Sequence, residues 1–335
     1  MGNKNLTDEN LQKAFDELQG KGHNVQFVEL DDEIEFNCSR CGSCCTNRGD
    51  ILLSPYDVHN LAVALGITGR EIVNTYCEVY IGHNSHLPVV VIADTPDGKC
   101  PFLKFDAGEM LYGCTVNSHK PGPCKTHPFG IVRTLNASDL EPDEIRFIKT
   151  DFCDKHSGGT KKTVKEFIGE EYLNSLELRK ISYKMQSFVT KTLNLKKIHA
   201  IIDGDSSFEG FTEKERNMLS NLSEQIRDSV KMVYCVPYLE AIYNLSPDKT
   251  FLEQSETCFK NLVRSSIETR ALLCTLGFDI GPENEDECEN LMNQYITGKE
   301  LSDIIQDLDN AMSKAKEHAE KLIKEKDADV NTTGN

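Results

Sequence analysis

The chain has 335 residues and a formal net charge of −17, with 39% hydrophobic and 27% charged residues. This composition is typical of a globular protein of about two domains, and the acidity disfavours a general nucleic-acid binder, which needs a basic face for phosphate. The acidity also implies repulsion from anionic membranes, and no apolar run approaches the ~18–20 residues of a membrane-spanning helix. The polar N-terminus lacks the apolar core of a secretory signal, so we expect a cytoplasmic location.

The first half of the chain is predicted to alternate short strands and helices. A Ser-Pro pair at residues 54–55 indicates a helix start, and Gly66 indicates the end of that helix. Thr68 and Glu71 form a capping box for a second helix, which we expect to reach about Tyr80. The other predicted elements are a helix from Leu6 to about Gly20, strands over Val25–Leu30, Leu87–Ile92 and Glu144–Phe152, and a hairpin of Phe102–Phe105 with Met110–Tyr112.

The second half has a helical pattern. After a polar link at Lys155–Lys162, apolar residues recur at three- and four-residue spacing, with Pro237 expected to break or kink one helix. The predicted helices are Thr163–Leu193, Thr212–Tyr243, Lys249–Leu276 and Glu285–Lys326. We therefore expect an α+β metal-binding domain over residues 1–158, an acidic all-α helical bundle over 159–326, and a disordered tail over 327–335.

Four of the thirteen cysteines lie within ten residues, FNCSRCGSCC, at positions 38, 41, 44 and 45. In a reducing cytosol such a cluster more often binds metal than forms disulfides. Cys38, Cys41 and Cys44 present three thiolates at even spacing, as bacterial ferredoxin loops do. A thioredoxin-like redox pair at Cys38 and Cys41 is disfavoured because no βαβ pattern surrounds it.

Further cysteines in the same half could complete a metal site. These are Cys100, Cys114, Cys124 and Cys153. With the first four they make eight thiolates, enough for two tetrahedral zinc sites, or for one four-iron cluster and a second metal; spacing does not decide between these. We expect the adjacent Cys44 and Cys45 to point in different directions, so that they serve two centres, or one bridges or stays free.

Other potential ligands receive different interpretations. His127 is the best non-cysteine candidate, since it lies three residues from Cys124, whereas His83 and His86 are interpreted as surface-loop histidines. Cys77 falls inside a predicted amphipathic helix and is assigned to packing. Core packing is also the interpretation of the four late cysteines, Cys235, Cys258, Cys274 and Cys288.

These motifs together resemble the YkgJ-type cysteine-cluster family. The resemblance is carried by FNCSRCGSCC, by CPFL at Cys100 and by C-x5-KP-x2-C-x2-HP from Cys114 to Pro128, and it covers about Phe36 to Cys153. The chain departs from the family pattern at Lys120, where the family usually has Arg, at residues 116–117, and at His127. The family is described as a zinc- or iron-chelating domain whose members are often labelled iron–sulfur oxidoreductases, and a flagellin lysine N-methylase is related to it.

The resemblance implies an iron–sulfur cluster or a related iron centre used in redox or group-transfer chemistry, on an unidentified substrate. The primary ligands would be Cys38, Cys41 and Cys44, with Cys45, Cys100, Cys114, Cys124 and Cys153 completing one or two centres. The alternative is a non-enzymatic protein in which closed zinc sites hold a loop-rich domain together as an interaction module. A third interpretation is that the helical bundle recruits a protein partner.

Overall fold

The computed structural model describes residues 26–36, 38–82, 86–135, 142–149, 160–282, 284–310 and 313. The predicted helix from Leu6 to Gly20, the tail over 327–335, His83 and Cys153 lie outside the described residues. The chain divides into two compact units. The first comprises the chain up to Thr190 together with Cys235–Cys258, and the second comprises Lys191–Tyr234 and the chain from Phe259 onward.

The strands of the first unit are short and pair antiparallel. In chain order they are β1 Gln26–Val28, β2 Glu33–Ile34, β3 Leu52–Leu53, β4 Cys77–Ile81, β5 Pro88–Ile92, β6 Leu103–Asp106, β7 Leu111–Cys114, β8 Phe129–Leu135, β9 Pro142–Lys149 and β10 Lys162–Thr163. They form sheets ordered β1-β9-β8 and β3-β5-β4, and two-stranded pairs β2-β10 and β6-β7.

The helices become longer towards the second half of the chain. They are α1 Pro55–Leu65, α2 Gly69–Tyr76, α3 Gly122–Thr126, α4 Val164–Ile168, α5 Glu170–Asn174, α6 Leu176–Thr192, α7 Leu195–Asp203, α8 Glu213–Asn221, α9 Glu224–Tyr243, α10 Phe251–Thr275 and α11 Glu285–Met292. Residues 298–310 are also helical. Single 3₁₀ turns occur at Ser43–Cys45 and Asn117–His119. The predicted class, an α+β region followed by a mostly helical part, is confirmed.

Local sequence signals fix the first helix. The Ser54 hydroxyl accepts a hydrogen bond from the Asp57 amide, while the Asp57 carboxylate accepts one from the Ser54 amide. The helix ends at Gly66, whose φ of 67° is left-handed. A glycine adopts this conformation without the steric cost that a Cβ would add. The predicted boundaries of α1 are confirmed.

The second helix ends earlier than predicted. It stops at Tyr76, and Cys77 begins strand β4 instead of lying inside the helix. The Cys77 amide still bonds the Val73 carbonyl, but the next residues pair with β5 in the register Glu78 to Val91. Antiparallel pairing with the next strand, β5, therefore overrides the local helical pattern.

The hairpin is confirmed as β6 and β7, with the second strand extending to Cys114. Strand β9 begins at Pro142, two residues before the predicted start, and residues beyond Lys149 lie outside the described residues. Its partner β8, Phe129–Leu135, has no counterpart in the sequence predictions. A hydrophobic cluster that includes Phe129, Phe147 and Ile168 joins this sheet to α4 and α5.

The long predicted helices of the second half are mostly interrupted. The first breaks at Gly169, whose φ is 84°, and again before Leu176, while the second breaks between Asn221 and Glu224. The fourth breaks after Met292, and residues 298–310 form a new helix. By contrast, α9 runs without a break from Glu224 to Tyr243, so the predicted break at Pro237 is wrong, and the alternative of a kink there stays a prediction.

The late cysteines divide into two groups. Cys258 and Cys288 are buried and Cys235 is half-buried, in line with the packing interpretation. Cys274 is exposed, so the core interpretation is wrong for this residue. Within the described ranges, no helix is both long and apolar enough to cross a membrane.

Candidate metal centre

The loop from Cys38 to Cys45 is attached to the β6–β7 hairpin by Arg40. The Arg40 carbonyl accepts a hydrogen bond of 3.0 Å from the Tyr112 amide, and its guanidinium donates back to the Tyr112 carbonyl at 2.8 Å. The same guanidinium forms an ion pair with Glu109. Gly42, with a φ of 76°, packs on the Tyr112 ring so closely that an added Cβ would lie 3.0 Å from a ring carbon. The cysteine loop and the hairpin are therefore one packed assembly.

Backbone pairing brings Cys45 next to Cys100. The Cys100 amide donates to the Cys45 carbonyl at 2.8 Å, and Thr46 forms an antiparallel bridge with Lys99. The Asn47 amide bonds the Gly98 carbonyl in the same pairing. The CPFL motif is thus held beside the CC pair although 54 residues separate Cys45 from Cys100 in sequence.

Cys114 reaches the same region through the hairpin. It is the last residue of β7 and lies opposite Leu103, whose amide bonds the Cys100 carbonyl at 3.0 Å. The next amide, that of Thr115, bonds the Phe102 carbonyl at 2.9 Å. The hairpin therefore positions Cys114 close to Cys100.

Cys124 lies in the one-turn helix α3, which Asp57 anchors to α1. The Asp57 carboxylate accepts a hydrogen bond of 2.8 Å from the Gly122 amide. The Thr126 hydroxyl, which is fully buried, bonds the carbonyls of Gly122 and Phe129 and so fixes the far end of the turn. His127 caps α3 and faces a cavity described below.

The two adjacent cysteines lie closer together than expected. The 3₁₀ turn Ser43–Cys45 places the Sγ atoms of Cys44 and Cys45 3.9 Å apart. An ion with four sulfur ligands at ~2.3 Å separates neighbouring sulfurs by about 3.8 Å. The tight turn brings both thiols to one side, so the prediction that the two side chains point in different directions is wrong. The distance between the two sulfurs suits ligands of a single ion.

Electrostatic interactions between the thiols also indicate that they are neighbours. Burial, reinforced by the charges of Cys100 and Cys114, raises the pKa of Cys124 to about 12. Burial and the charge of Cys114 likewise raise the pKa of Cys100. Such interactions decay quickly with distance, so Cys100, Cys114 and Cys124 occupy one local region.

A hydrogen bond between the Cys44 and Cys45 thiols shifts their pKa values in opposite directions. A hydrogen bond from Cys45 lowers the pKa of Cys44 to about 6 against the opposing effect of burial, with help from Arg48 and Lys120. The same hydrogen bond, with burial and the charges of Cys44, Cys100 and Cys124, raises the pKa of Cys45. One thiolate, the species that binds metal, is thus favoured at neutral pH.

Two cations stand beside the thiols. Arg48 interacts electrostatically with Cys44 and Cys124 and is itself held by Asp50 through two hydrogen bonds of 2.6 and 3.1 Å. Lys120 interacts with the same two cysteines. These positive charges would offset part of the negative charge of a thiolate cluster.

The structure thus brings together Cys44, Cys45, Cys100, Cys114 and Cys124. Cys38 and Cys41 are exposed on the loop, where the Cys41 thiol donates to the Ser43 hydroxyl at 3.2 Å. Burial alone raises the pKa of Cys77 to about 12, with no contribution from another cysteine. Among the described residues, no three His, Cys, Asp or Glu side chains have the arrangement needed to hold one metal ion.

A buried ion pair that was not predicted from the sequence supports the site. Nη1 of Arg179 lies 2.8 Å from Oδ1 of Asp57, and both side chains are almost fully buried. Asp57 also holds Gly122, so this pair supports the turn that carries Cys124. The acidic N3 position of a capping box was visible in the sequence, but the identity of its distant cationic partner was not.

A cavity of about 530 Å³ adjoins the Cys124 turn. Its wall includes Arg48, Pro123 and His127 on the side of the cysteines, and Tyr183 and Tyr238 elsewhere. This volume lies within the range of small-molecule sites, which are mainly apolar with a few polar groups.

Comparison with known families gives one match, to a family of metal-chelating description. Residues 37–154 match the family model CxxCxxCC, described as "Putative zinc- or iron-chelating domain". No curated protein and no solved structure matches the chain. The matched range spans every cysteine motif considered above. This match supports the assignment of residues 37–154 to the cysteine-cluster family that the motifs resemble.

Proposed function

We propose that the eight cysteines Cys38, Cys41, Cys44, Cys45, Cys100, Cys114, Cys124 and Cys153 bind iron, as an iron–sulfur or related iron centre. The observation that carries this proposal is the convergence of five of these thiols from four separate segments onto one region. The donor set fits, because soft thiolates select iron–sulfur clusters, zinc or copper(I). Such thiols need a reducing compartment, and a cytoplasmic location is part of the proposal.

We assign the centre a redox or group-transfer role. The supporting feature is the cavity of about 530 Å³, since it reaches His127 and Arg48 beside the thiols and is large enough for a small substrate. A bound iron centre would supply electron transfer or activation of that substrate. The chain itself contributes the positions of the thiols, the compensating charges of Arg48 and Lys120, and the walls of the cavity.

A closed zinc site is the second candidate. The 3.9 Å separation of the Cys44 and Cys45 sulfurs favours it, because adjacent corners of a tetrahedral zinc–thiolate site have this spacing. In that case the metal would join the cysteine loop, the CPFL segment, the hairpin and the α3 turn, and the domain would act as an interaction module.

Metal analysis of protein purified without oxygen tests the proposal. We expect the purified protein to contain iron and to show an absorption band at about 400 nm that bleaches on reduction, as thiolate-bound iron–sulfur clusters do. Stoichiometric zinc without this band would support the closed site instead. Fully folded protein that binds neither metal, or thiols joined pairwise in disulfides, would refute both.

A further inference from the structure

We propose that a small cleft in the first unit, lined by Lys120, Lys125 and Arg179, binds the oxyanion group, a carboxylate or a phosphate, of a small molecule. The cleft has a volume of about 60 Å³, which suits one such group and not a whole cofactor. This inference goes beyond the proposed metal function and does not depend on it.

Arg179 has an unused donor atom although its side chain is buried. Only 3% of the residue is exposed, and its Nε and Nη1 atoms donate to Ser175 and Asp57 at 3.2 and 2.8 Å. No hydrogen bond joins Nη2 to any residue that the structure describes, although Arg179 lines the cleft. The rings of Tyr56 and Tyr172 lie over the guanidinium at 5.1 and 4.6 Å and hold it in place.

Nη2 is not among the fully buried polar atoms that lack a partner in the part of the chain that the structure describes, so it keeps access to the cleft. A guanidinium in such a mostly buried position loses hydration unless each of its donors has a partner. Asp57 neutralises the charge of Arg179 but takes only Nη1. A ligand oxygen in the cleft would complete the hydrogen bonding of Nη2. Guanidinium groups match the geometry of carboxylates and phosphates particularly well.

The cleft is basic in an acidic chain. Its wall carries the cations Lys120, Lys125 and Arg179 but one carboxylate, that of Glu171. Lys125 lies 3.4 Å from Glu171, whose side chain is 73% exposed, so this ion pair is weak and easily opened. Against a net charge of −17, this local excess of positive charge is unusual and indicates attraction of an anion.

Neutral donors complete the lining. The Asn60 amide, which is half-buried on α1, faces the cleft, and so does the Ser118 hydroxyl, which lies 2.9 Å from Nδ1 of His119. Lys120 interacts electrostatically with Cys44 and Cys124, so the cleft borders the cysteine cluster. An anionic group bound here would orient the remainder of its molecule near the thiols.

Calorimetric titration of the full chain with inorganic phosphate, and separately with acetate, tests the cleft. We expect saturable binding of at least one anion with a Kd on the order of 1 mM, weakened by added salt. The anion that binds more tightly identifies the group. Lys120→Gln and Lys125→Gln should each weaken binding by about three- to tenfold, because each removes one charge-assisted contact.

Lys104→Gln is the matched control, because Lys104 is an exposed lysine on β6 outside the cleft and its loss changes the net charge equally. It should leave the affinity unchanged. Metal content is measured in every variant, so that lost anion binding at unchanged metal content is separated from damage to the cysteine site. Lys120→Gln also removes a charge beside Cys44 and Cys124, so if it alters folding or metal content, Lys125→Gln decides. Absence of saturable binding, or equal affinity in the control and both cleft variants, would overturn the inference.

Discussion

The Asp57 carboxylate lies 2.8 Å from the Arg179 guanidinium, and the two residues are 2% and 3% exposed. Asp57 has two further partners, since it accepts hydrogen bonds from the amides of Ser54 and Gly122. One buried carboxylate therefore caps α1, holds the turn of Cys124 and neutralises a cation on α6. Loss of any of these contacts should affect the other two.

Arg179→Ala should be strongly destabilising. It leaves Asp57 buried without its cation, and breaking a buried ion pair in this way costs about 3–5 kcal/mol of the free energy of unfolding. Urea denaturation followed by far-ultraviolet circular dichroism measures the change. Lys180→Ala, at the next residue, is the control: Lys180 pairs with the exposed Glu177 and should contribute no more than about 1 kcal/mol. Equal effects of the two substitutions would contradict this account of the pair.

Cys124→Ser should reduce metal binding while Cys77→Ser should not. The charges of Cys100 and Cys114 contribute to the raised pKa of Cys124, whereas burial alone raises the pKa of Cys77. Loss of a ligand should weaken metal affinity by at least about tenfold, as even the loss of a supporting partner does. Metal per chain after dialysis against a graded chelator series is the measurement. Retention of wild-type metal by Cys124→Ser would exclude this residue from the site.

Gly42→Ala should disturb the cysteine loop. Gly42 has a φ of 76°, and an added Cβ would lie 3.0 Å from the Tyr112 ring. A residue with a Cβ is less stable by about 1–2 kcal/mol in the left-handed region of φ, and the Tyr112 ring must also move to make room. We expect lower stability and lower metal occupancy. Gly49→Ala is the control, since a Cβ there meets nothing within 4 Å, and it should behave as wild type.

Glu215→Gln should destabilise the second unit in a pH-dependent manner. Burial raises the pKa of Glu215, but Lys197 at 2.7 Å and the amides of Thr212 and Asp279 outweigh burial and lower this pKa to about 2. Because the folded pKa is depressed, the stabilisation is fully present above the unfolded value of 4.5 and is lost as pH falls towards 2.

The substitution should therefore cost about 2–3 kcal/mol at pH 7, and the difference from wild type should shrink between pH 4.5 and 2. Urea midpoints at a series of pH values measure this. Glu213→Gln, on the exposed face of the same helix, should show no such trend. A pH-independent difference for Glu215→Gln would rule out its charge as the cause.

Features that depend on neighbouring residues were predictable from sequence. The cap at Ser54, the glycine at 66 and the β6–β7 hairpin follow from a few adjacent side chains, and all three are present. The family resemblance, which covers about Phe36 to Cys153, also agrees with the match of residues 37–154 to the family model. Each of these features depends either on neighbouring residues or on the spacing of the cysteines along the chain.

Features that depend on partners outside the local pattern were not predictable. The strand at Cys77 pairs with the next strand, Pro88–Ile92, and the helical pattern of residues 69–80 does not record that pairing. The contact between Asp57 and Arg179 joins positions 122 residues apart. Likewise, the proximity of the Cys44 and Cys45 sulfurs depends on a 3₁₀ turn that the amino-acid sequence alone does not predict.

The position of Arg179 has a practical consequence. The matched range stops at residue 154, yet the cation that neutralises Asp57 comes from α6, 25 residues further on. An excised fragment trimmed to the homology limits would carry every recognised cysteine but would leave a bare carboxylate in its interior. The smallest fragment of this protein that folds on its own must therefore include Arg179, the partner of the buried Asp57, and cannot be chosen from the extent of sequence similarity alone.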